Sequence, residues 1–250
     1  MDEIVDQISR NEFFQDFISY LKYIEKQPIT LTAKGNISRK DIGEFSNILN
    51  CVRKRKEEFD EYKWKIVGDW QLPELDKLRV MAEILNLVRK WKNTLKIRDD
   101  GRKFLQETQI RQFTCLVLGY WRNANWDYFD PSPDFDKKTT VLTLLQKNQD
   151  IVWRGLWENG EDWIEFDQFA QEIARNFGIE FIPKEWDGNK RDYFVLEQAL
   201  INHNLKLFGL VETEGKIIFR HYRHVEKLKP TKLGLYMFDK AVKGSNFNMV

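Results

Sequence analysis

Asn204-Leu205-Lys206-Leu207-Phe208-Gly209-Leu210-Val211, then Glu214-Gly215, then Lys216-Ile217-Ile218-Phe219-Arg220, then Leu228-Lys229-Pro230-Thr231-Lys232-Leu233-Gly234: this stretch decides the fold. Its first eight residues read as a helix end running into a strand. Glu214-Gly215 reads as a turn, because glycine takes positive φ without steric cost. Lys216–Arg220 then reads as the returning strand. Thr231-x-x-Gly234 reads as the opening of a last helix. A shorter copy stands upstream at Leu95-Lys96-Ile97-Arg98-Asp99-Asp100-Gly101-Arg102. The shared pattern is L-K-I-R-x-x-G in one and L-K-P-T-x-x-G in the other. Their separation of roughly 130 residues is far beyond a solenoid period, so they mark two similar modules rather than a repeat array.

Working outward, Tyr193–Phe208 is the helix that leads into this stretch, with Leu196, Leu200, Ile201 and Leu205 apolar. At the other end of the chain, Asp6–Tyr23 carries Ile8, Phe13, Phe14, Phe17, Ile18 and Leu21 at a 3.6-residue period, which predicts one amphipathic helix ended by Gln27-Pro28. Ile29–Thr32 is strand-like, Lys34-Gly35-Asn36 is a turn, and Ser38 caps a helix over Arg39–Leu49. Arg53–Glu58 is a mixed-charge run that reads as a solvated helix face. Leu75–Val88 is a helix. Arg89–Lys92 and Leu95–Ile97 are short strands around Asn93-Thr94, and Asp99-Asp100 suits a helix start. Thr108–Arg122 is a largely apolar helix. Composition then shifts sharply over Asn123–Lys138, the best candidate boundary loop. Beyond it, Thr139–Leu145 and Asp150–Trp157 are helical, and Trp163-Ile164 is a short strand. Asp167 caps a helix over Gln168–Asn176 that Gly178 terminates. Ile179–Ile182 is strand-like, and Trp186–Asn189 is a loop.

The composition supports real apolar cores, at 42% hydrophobic residues, so the chain is expected to fold rather than stay disordered. No apolar run is long enough to span a bilayer. The acidic start, Met1-Asp2-Glu3-Ile4-Val5-Asp6, lacks the layout of a signal peptide. Cys51 and Cys115 are the two cysteines; their spacing fits neither a disulfide framework nor a zinc site, which points to a reduced compartment, the cytoplasm. Net charge is +1, so no global excess of positive charge advertises nucleic acid. The distribution is uneven, however. Acids crowd the middle, and Lys and Arg crowd the two hairpin regions, so one face could still meet a polyanion.

The first hairpin carries Arg89, Lys90, Lys92, Lys96 and Arg98, and the second Lys216, Arg220, Arg223 and Lys227. These are the candidate nucleic-acid contacts, each to phosphate rather than to a base edge. In the second hairpin Phe219 and Tyr222 alternate with the cations, as a phosphate track with stacking positions requires. The competing reading for the first hairpin is an ordinary solvated edge, where Lys blocks edge-to-edge pairing; for the second it is that Phe219 packs inward and the cations simply face solvent. His221 and His224 form an H-x-x-H, but on a strand those side chains point to opposite faces, so no metal site is expected. Glu158, Glu161, Asp162, Glu165 and Asp167 lack the order of an EF-hand loop, and no phosphate-binding or nucleophile motif is present. The expectation is a protein without catalytic residues, metal or cofactor. Trp126 and Tyr128, in the acidic and Trp-rich middle, are the candidate partner-binding residues.

Helix, hairpin and a T-x-x-G helix start together resemble the winged helix-turn-helix superfamily. Leu31-Thr32-Ala33-Lys34-Gly35-Asn36 resembles an L-T-x-x-G-N opening of uncharacterised bacterial proteins built from such modules. The resemblance covers about Pro28–Val242 on short stretches. It implies a mainly α fold with small β-hairpins, made of two winged-helix-like modules, 1–107 and 108–250, packed into one body. It also implies DNA binding or protein assembly as the use of that fold, and no catalytic residues. The leading functional expectation is a non-enzymatic protein that binds nucleic acid, double-stranded DNA first, through the basic hairpins. The alternative is an assembly or adaptor protein that uses the acidic middle; an enzyme is third.

Overall fold

The computed structural model describes residues 2–66, 68–129, 140–180, 184–186, 189–191, 193–219 and 222–244; at 70, 184–186, 189–191, 218, 219, 222 and 223 the description is of the backbone. The fold is mainly α with small antiparallel β-hairpins. The chain divides into an N-terminal unit, Ile8–Ala124, and a C-terminal unit, Asn125–Asn246 with Met1–Gln7.

The single helix expected over Asp6–Tyr23 is two: α1 (Asp2–Arg10) and α2 (Glu12–Lys26). Asn11 separates them because its side chain leaves the helical role and accepts the Phe14 N–H at 2.8 Å, capping α2. In the N-terminal unit α2 is followed by β1 (Ile29–Thr30), α3 (Arg39–Ile48), α4 (Asn50–Glu61), a 3₁₀ turn (Asp69–Gln71), α5 (Pro73–Ile84), β2 (Val88–Trp91), β3 (Thr94–Ile97), α6 (Asp99–Gln106) and α7 (Gln109–Asn123). The mixed-charge run Arg53–Glu58 lies on α4. The helix predicted over Leu75–Val88 stops at Ile84. Asn86 takes a left-handed φ of 59°, and Val88 is already the first residue of β2. The hairpin turn is Lys92-Asn93, not Asn93-Thr94: Trp91 pairs with Thr94, and Lys92 carries the positive φ of 51°. The strands form a sheet in the order β1-β3-β2. Phe14, Phe17 and Tyr20 on α2 meet Phe113, Phe104 and Phe45 at ring-centroid distances of 5.5, 6.0 and 5.6 Å. That aromatic cluster fixes the helices against the inner face of the sheet, where Leu95 is fully buried.

The C-terminal unit contains α8 (Trp126–Phe129), α9 (Val141–Lys147), α10 (Gln149–Asn159), β4 (Ile164–Glu165), α11 (Phe166–Phe177), the hairpin β5 (Lys184–Trp186) and β6 (Asn189–Arg191), a π-helix (Leu196–Leu205), β7 (Val211–Phe219), β8 (Tyr222–Pro230) and α12 (Lys232–Val242). Most of the boundary loop expected at Asn123–Lys138 lies outside the described residues, and its described part holds α8. Asp167 does not cap α11: Glu165 is the cap position, without a side-chain bond, and Asp167 sits in the first turn. Gly178 ends α11 in the left-handed conformation at φ 60°. The Trp186–Asn189 loop is the end of a hairpin, since those two residues pair. Ile179 and Glu180 are not strand, and the remainder of that expected strand is not described.

Glu214-Gly215 does not turn the chain. β7 runs through it to Phe219, and the return strand is Tyr222–Pro230. Gly215 is needed for another reason: the ladder shifts there, from Glu214↔Lys227 to Gly215↔Val225, leaving Glu226 as the extra residue of a bulge. A Cβ on Gly215 would lie 1.6 Å from the His224 carbonyl oxygen. The glycine signals close backbone approach, which a sequence cannot tell from a turn.

The two L-K patterns do the same structural work in both units. A left-handed residue (Asn86, φ 59°; Gly209, φ 66°) ends the helix before the hairpin. The next residue, Leu87 or Leu210, donates its N–H back to Ala82 or Leu205 at 2.9 and 2.8 Å. Its carbonyl accepts from Arg98 or Thr231, just past the hairpin, at 2.8 and 2.9 Å. The pattern glycine, Gly101 or Gly234, then packs on that same carbonyl: a Cβ would stand 2.4 or 1.9 Å from its oxygen. The sheet orders agree as well, β1-β3-β2 and β4-β8-β7.

Candidate functional site

In antiparallel strands directly opposed residues share a face, and the face alternates along each strand. β2 and β3 pair Val88 with Ile97, Arg89 with Lys96, Lys90 with Leu95, and Trp91 with Thr94. Val88, Leu95 and Ile97 are buried, so their face is the core face. Arg89, Trp91, Thr94 and Lys96 therefore share the outer face. Lys90 extends from the inner face at its open end, with its Nζ beside Gly35, and Lys92 occupies the turn. Thr94 Oγ1 donates to the Trp91 carbonyl at 2.7 Å, and Leu31 N–H donates to the Asn93 carbonyl at 2.8 Å. The arm is thus tied at its tip and stiff.

Arg89, Lys96 and Arg98 line one cleft of about 480 Å³, closed by Ile24, Glu25 and Pro28 and by the first turns of α6. Two further cations on its wall, Arg102 and Lys103, are paired with Asp99 and Asp100 at 2.7 and 3.6 Å. Arg89, Lys90, Lys92, Lys96 and Arg98 have no carboxylate within ion-pair distance among the described residues. Arg89 lies over the Trp91 ring at 5.9 Å.

The second hairpin differs. Lys216 pairs with Glu226 at 2.7 Å, Lys227 with Glu165 at 2.9 Å, and Lys229 with Glu212 at 3.1 Å. Lys232, just beyond, pairs with Glu3 at 2.6 Å. The carboxylates of Glu226, Glu165 and Glu3 hold the Lys216, Lys227 and Lys232 ammonium groups above the usual lysine range, by hydrogen bonding first and charge second. Each such lysine brings an anion to the spot where a phosphate would lie. Arg220 lies outside the described residues, and so does the side chain of Arg223.

Trp126 is not a surface anchor. It is 3% exposed and meets Trp153 at 6.2 Å, and Trp153 in turn stacks on Phe238 at 5.7 Å. Tyr128 is 55% exposed. Trp157 and Trp163 are partly exposed, each under an ammonium, Lys243 at 5.5 Å and Lys229 at 4.9 Å. Sequence reasoning missed Trp91, which is 54% exposed; the signal available was its place two residues from Arg89 on a strand.

Buried carboxylates elsewhere hold backbone. Asp16 accepts Asn50 N–H and Cys51 N–H at 2.7 and 2.8 Å, capping α4, whose own cap residue Leu49 has no side-chain acceptor. Asp41 accepts Thr30 N–H and the Tyr23 hydroxyl, each at 3.0 Å. Asp69 accepts Ile37 N–H at 2.7 Å. Burial pushes the Cys51 and Cys115 thiols up, which disfavours a nucleophilic thiolate. Among the described residues no cluster of three His, Cys, Asp or Glu could hold a metal, and no helix is long and apolar enough to cross a membrane.

Residues 11–110 match the family described as Y4jL N-terminal domain. That span runs from the cap of α2 into α7 and includes the whole basic arm and its cleft. No curated protein matches the chain, and no solved structure does.

Proposed function

We propose that the two units are winged-helix modules and that the chain binds nucleic acid, double-stranded DNA first, through the β2–β3 arm of the N-terminal unit. Support for the module assignment comes from what both units share: a helix, a short strand, further helices (three in the N-terminal unit), a two-stranded arm and a closing helix, with the short strand beside the return strand of the arm. The observation that carries the function is the set of five cations on and beside that arm that, among the described residues, lack a carboxylate within ion-pair distance, three of them around one cleft. Phosphate is the group such an array suits, because each cation can displace a condensed counterion. The contacts are to backbone rather than to bases. α5, the helix before the arm, carries Glu74, Asp76 and Glu83, which the phosphate flanks of a groove would repel.

The test is fluorescence polarisation of the full chain with a short labelled duplex across a salt series. Affinity should fall linearly on logarithmic axes, with a slope of about −0.9 per phosphate contacted. Arg89→Glu/Lys96→Glu should remove most of the binding, while Lys216→Glu/Lys227→Glu should leave it within about twofold, those lysines being neutralised already. The reverse ranking, or binding indifferent to salt, would end the reading.

A further inference from the structure

Trp91 has no role in the phosphate contacts, yet it is the most conspicuous apolar group on the arm. It is 54% exposed, shares the outer face with Arg89 and Lys96, and stands next to the turn residue Lys92. Its cross-strand partner is the small Thr94, and Arg89 on its own strand lies over the ring at 5.9 Å without covering the indole, which keeps more than half of its surface in solvent. A large aromatic side chain left in water at the end of a stiff arm is a surface awaiting a flat partner. Its surroundings say which kind. Arg89 and Lys96 share its face, Lys92 follows it in the turn, and the arm carries no acid. An anchor for a protein pocket would sit among apolar residues, with charge depleted around it. An aromatic ring among cations suits a group with a π-face attached to a phosphate chain, which describes a nucleobase.

We propose that Trp91 stacks on an unpaired base, so that the ligand of the N-terminal arm is a DNA duplex adjoining single-stranded bases, at an end, gap or overhang. This rests on the nucleic-acid reading above and narrows it. The cations hold the phosphates, and the indole takes the first base free of the duplex. Closed duplex offers Trp91 no free face without unstacking a base step, which opposes insertion. An already unpaired base makes no such demand. The tied tip adds to the effect: Thr94 Oγ1 on the Trp91 carbonyl and Leu31 N–H on the Asn93 carbonyl hold the strand under the indole before the ligand arrives.

The experiment compares two probes with equal numbers of phosphates: a duplex closed at both ends by ethylene-glycol linkers, which carry no unpaired base, and a duplex with a single-stranded overhang. The parent chain should bind the overhang probe about tenfold more tightly. Trp91→Ala should abolish that preference while keeping the affinity for closed duplex and the salt slope, since no charge is lost. Trp91→Phe should restore most of the preference. Melting curves of both variants should match the parent, because the side chain is exposed. Equal affinity of the parent for the two probes would overturn the role of Trp91 and leave phosphate binding standing. So would a preference that survives Trp91→Ala, or a loss in that variant that is equal for both probes. No binding to either probe at low salt would end both this inference and the nucleic-acid reading.

Discussion

Arg89 and Lys96 are directly opposed across β2 and β3 on the outer face of the arm, with no carboxylate within ion-pair distance of either among the described residues. Like charges in that position destabilise a sheet by about 0.2–1 kcal/mol relative to neutral pairs. The phosphate contacts proposed above would relieve that repulsion. Lys96→Glu should turn the repulsion into an attraction and leave Arg89 over Trp91. The variant is expected to unfold at the parent's temperature or above it, with a gain of up to about 1 kcal/mol, and to bind duplex DNA more weakly. Melting and polarisation on the same preparation check the two signs together. A variant that is less stable and binds as well would break the link between strain and function.

The carbonyls of Leu87 and Leu210 each accept one N–H and carry one glycine, and that crowding gives a prediction in each unit. Gly101→Ala and Gly234→Ala would place a methyl 2.4 and 1.9 Å from a backbone oxygen, which cannot move away without breaking the bond to Arg98 or Thr231. Each should lose about 1–3 kcal/mol or more. Gly43→Ala is the control: it lies within α3 with nothing within 4 Å of the added methyl. That change should stabilise by up to about 1 kcal/mol, the helix-propensity difference. Equal effects of the three substitutions in thermal melts would refute the packing argument.

These glycines also show how far the sequence could be read. The pattern glycines at 101 and 234 are visible as a pair in the sequence, and both prove to pack on a carbonyl just before a hairpin, because close approach at a helix start sets the spacing from the strand before it. Gly215 misled, because its requirement is imposed by His224 on another strand, and one sequence does not show which residue lies opposite. Periodicity found α2, α3 and α11 because each buries one face, whereas α7, buried all round from Gln112 to Trp121, shows as a largely apolar run. Periodicity missed the break at Asn11, where a cap interrupts an unbroken apolar stripe. For the site, residue type sufficed to nominate Arg89, Lys96 and Arg98. It could not rank the hairpins, since ranking depends on Glu165, Glu212, Glu226 and Glu3 reaching the lysines of the second one. Trp126 failed as an anchor for a related reason: a Trp in an acidic, Pro-rich context looks exposed until Trp153 is found beside it.

Alkaline pH should act through Tyr23. Burial, with the hydrogen bond to Asp41 second, pushes its hydroxyl up to about 12, against about 10 in an unfolded chain. The folded state favours the protonated form, so this contribution to stability is fully present below about pH 10 and is lost as pH rises towards 12. Burial pushes Tyr20 in the same direction. Tyr23→Phe cannot donate to Asp41, so it should be less stable at neutral pH by about 1 kcal/mol and should lose less on alkalinisation. Melting temperatures of parent and variant should therefore converge as pH rises. Parallel curves would show that the Tyr23 proton does not contribute.

Glu197 joins the π-helix to the arm of the C-terminal unit. It is fully buried, and its Oε1 accepts the Val225 N–H at 2.8 Å, where the ladder slips past Glu226. Its Oε2 is 3.5 Å from His224 Nδ1. A bulge leaves a strand amide without its ladder acceptor, and an amide buried without any acceptor costs about 1–3 kcal/mol. The carboxylate supplies that acceptor from another element, which makes the bulge tolerable. Glu197→Ala should therefore destabilise the unit by about that amount. It should also raise hydrogen exchange at the Val225 amide more than at Leu228, which is paired with Thr213 further along the ladder. Glu197→Gln keeps a carbonyl oxygen for Val225 and should preserve its protection. If Glu197→Ala leaves both the melting temperature and the Val225 exchange unchanged, the bulge is held by the strand pairing alone and the π-helix has no part in setting the arm's register.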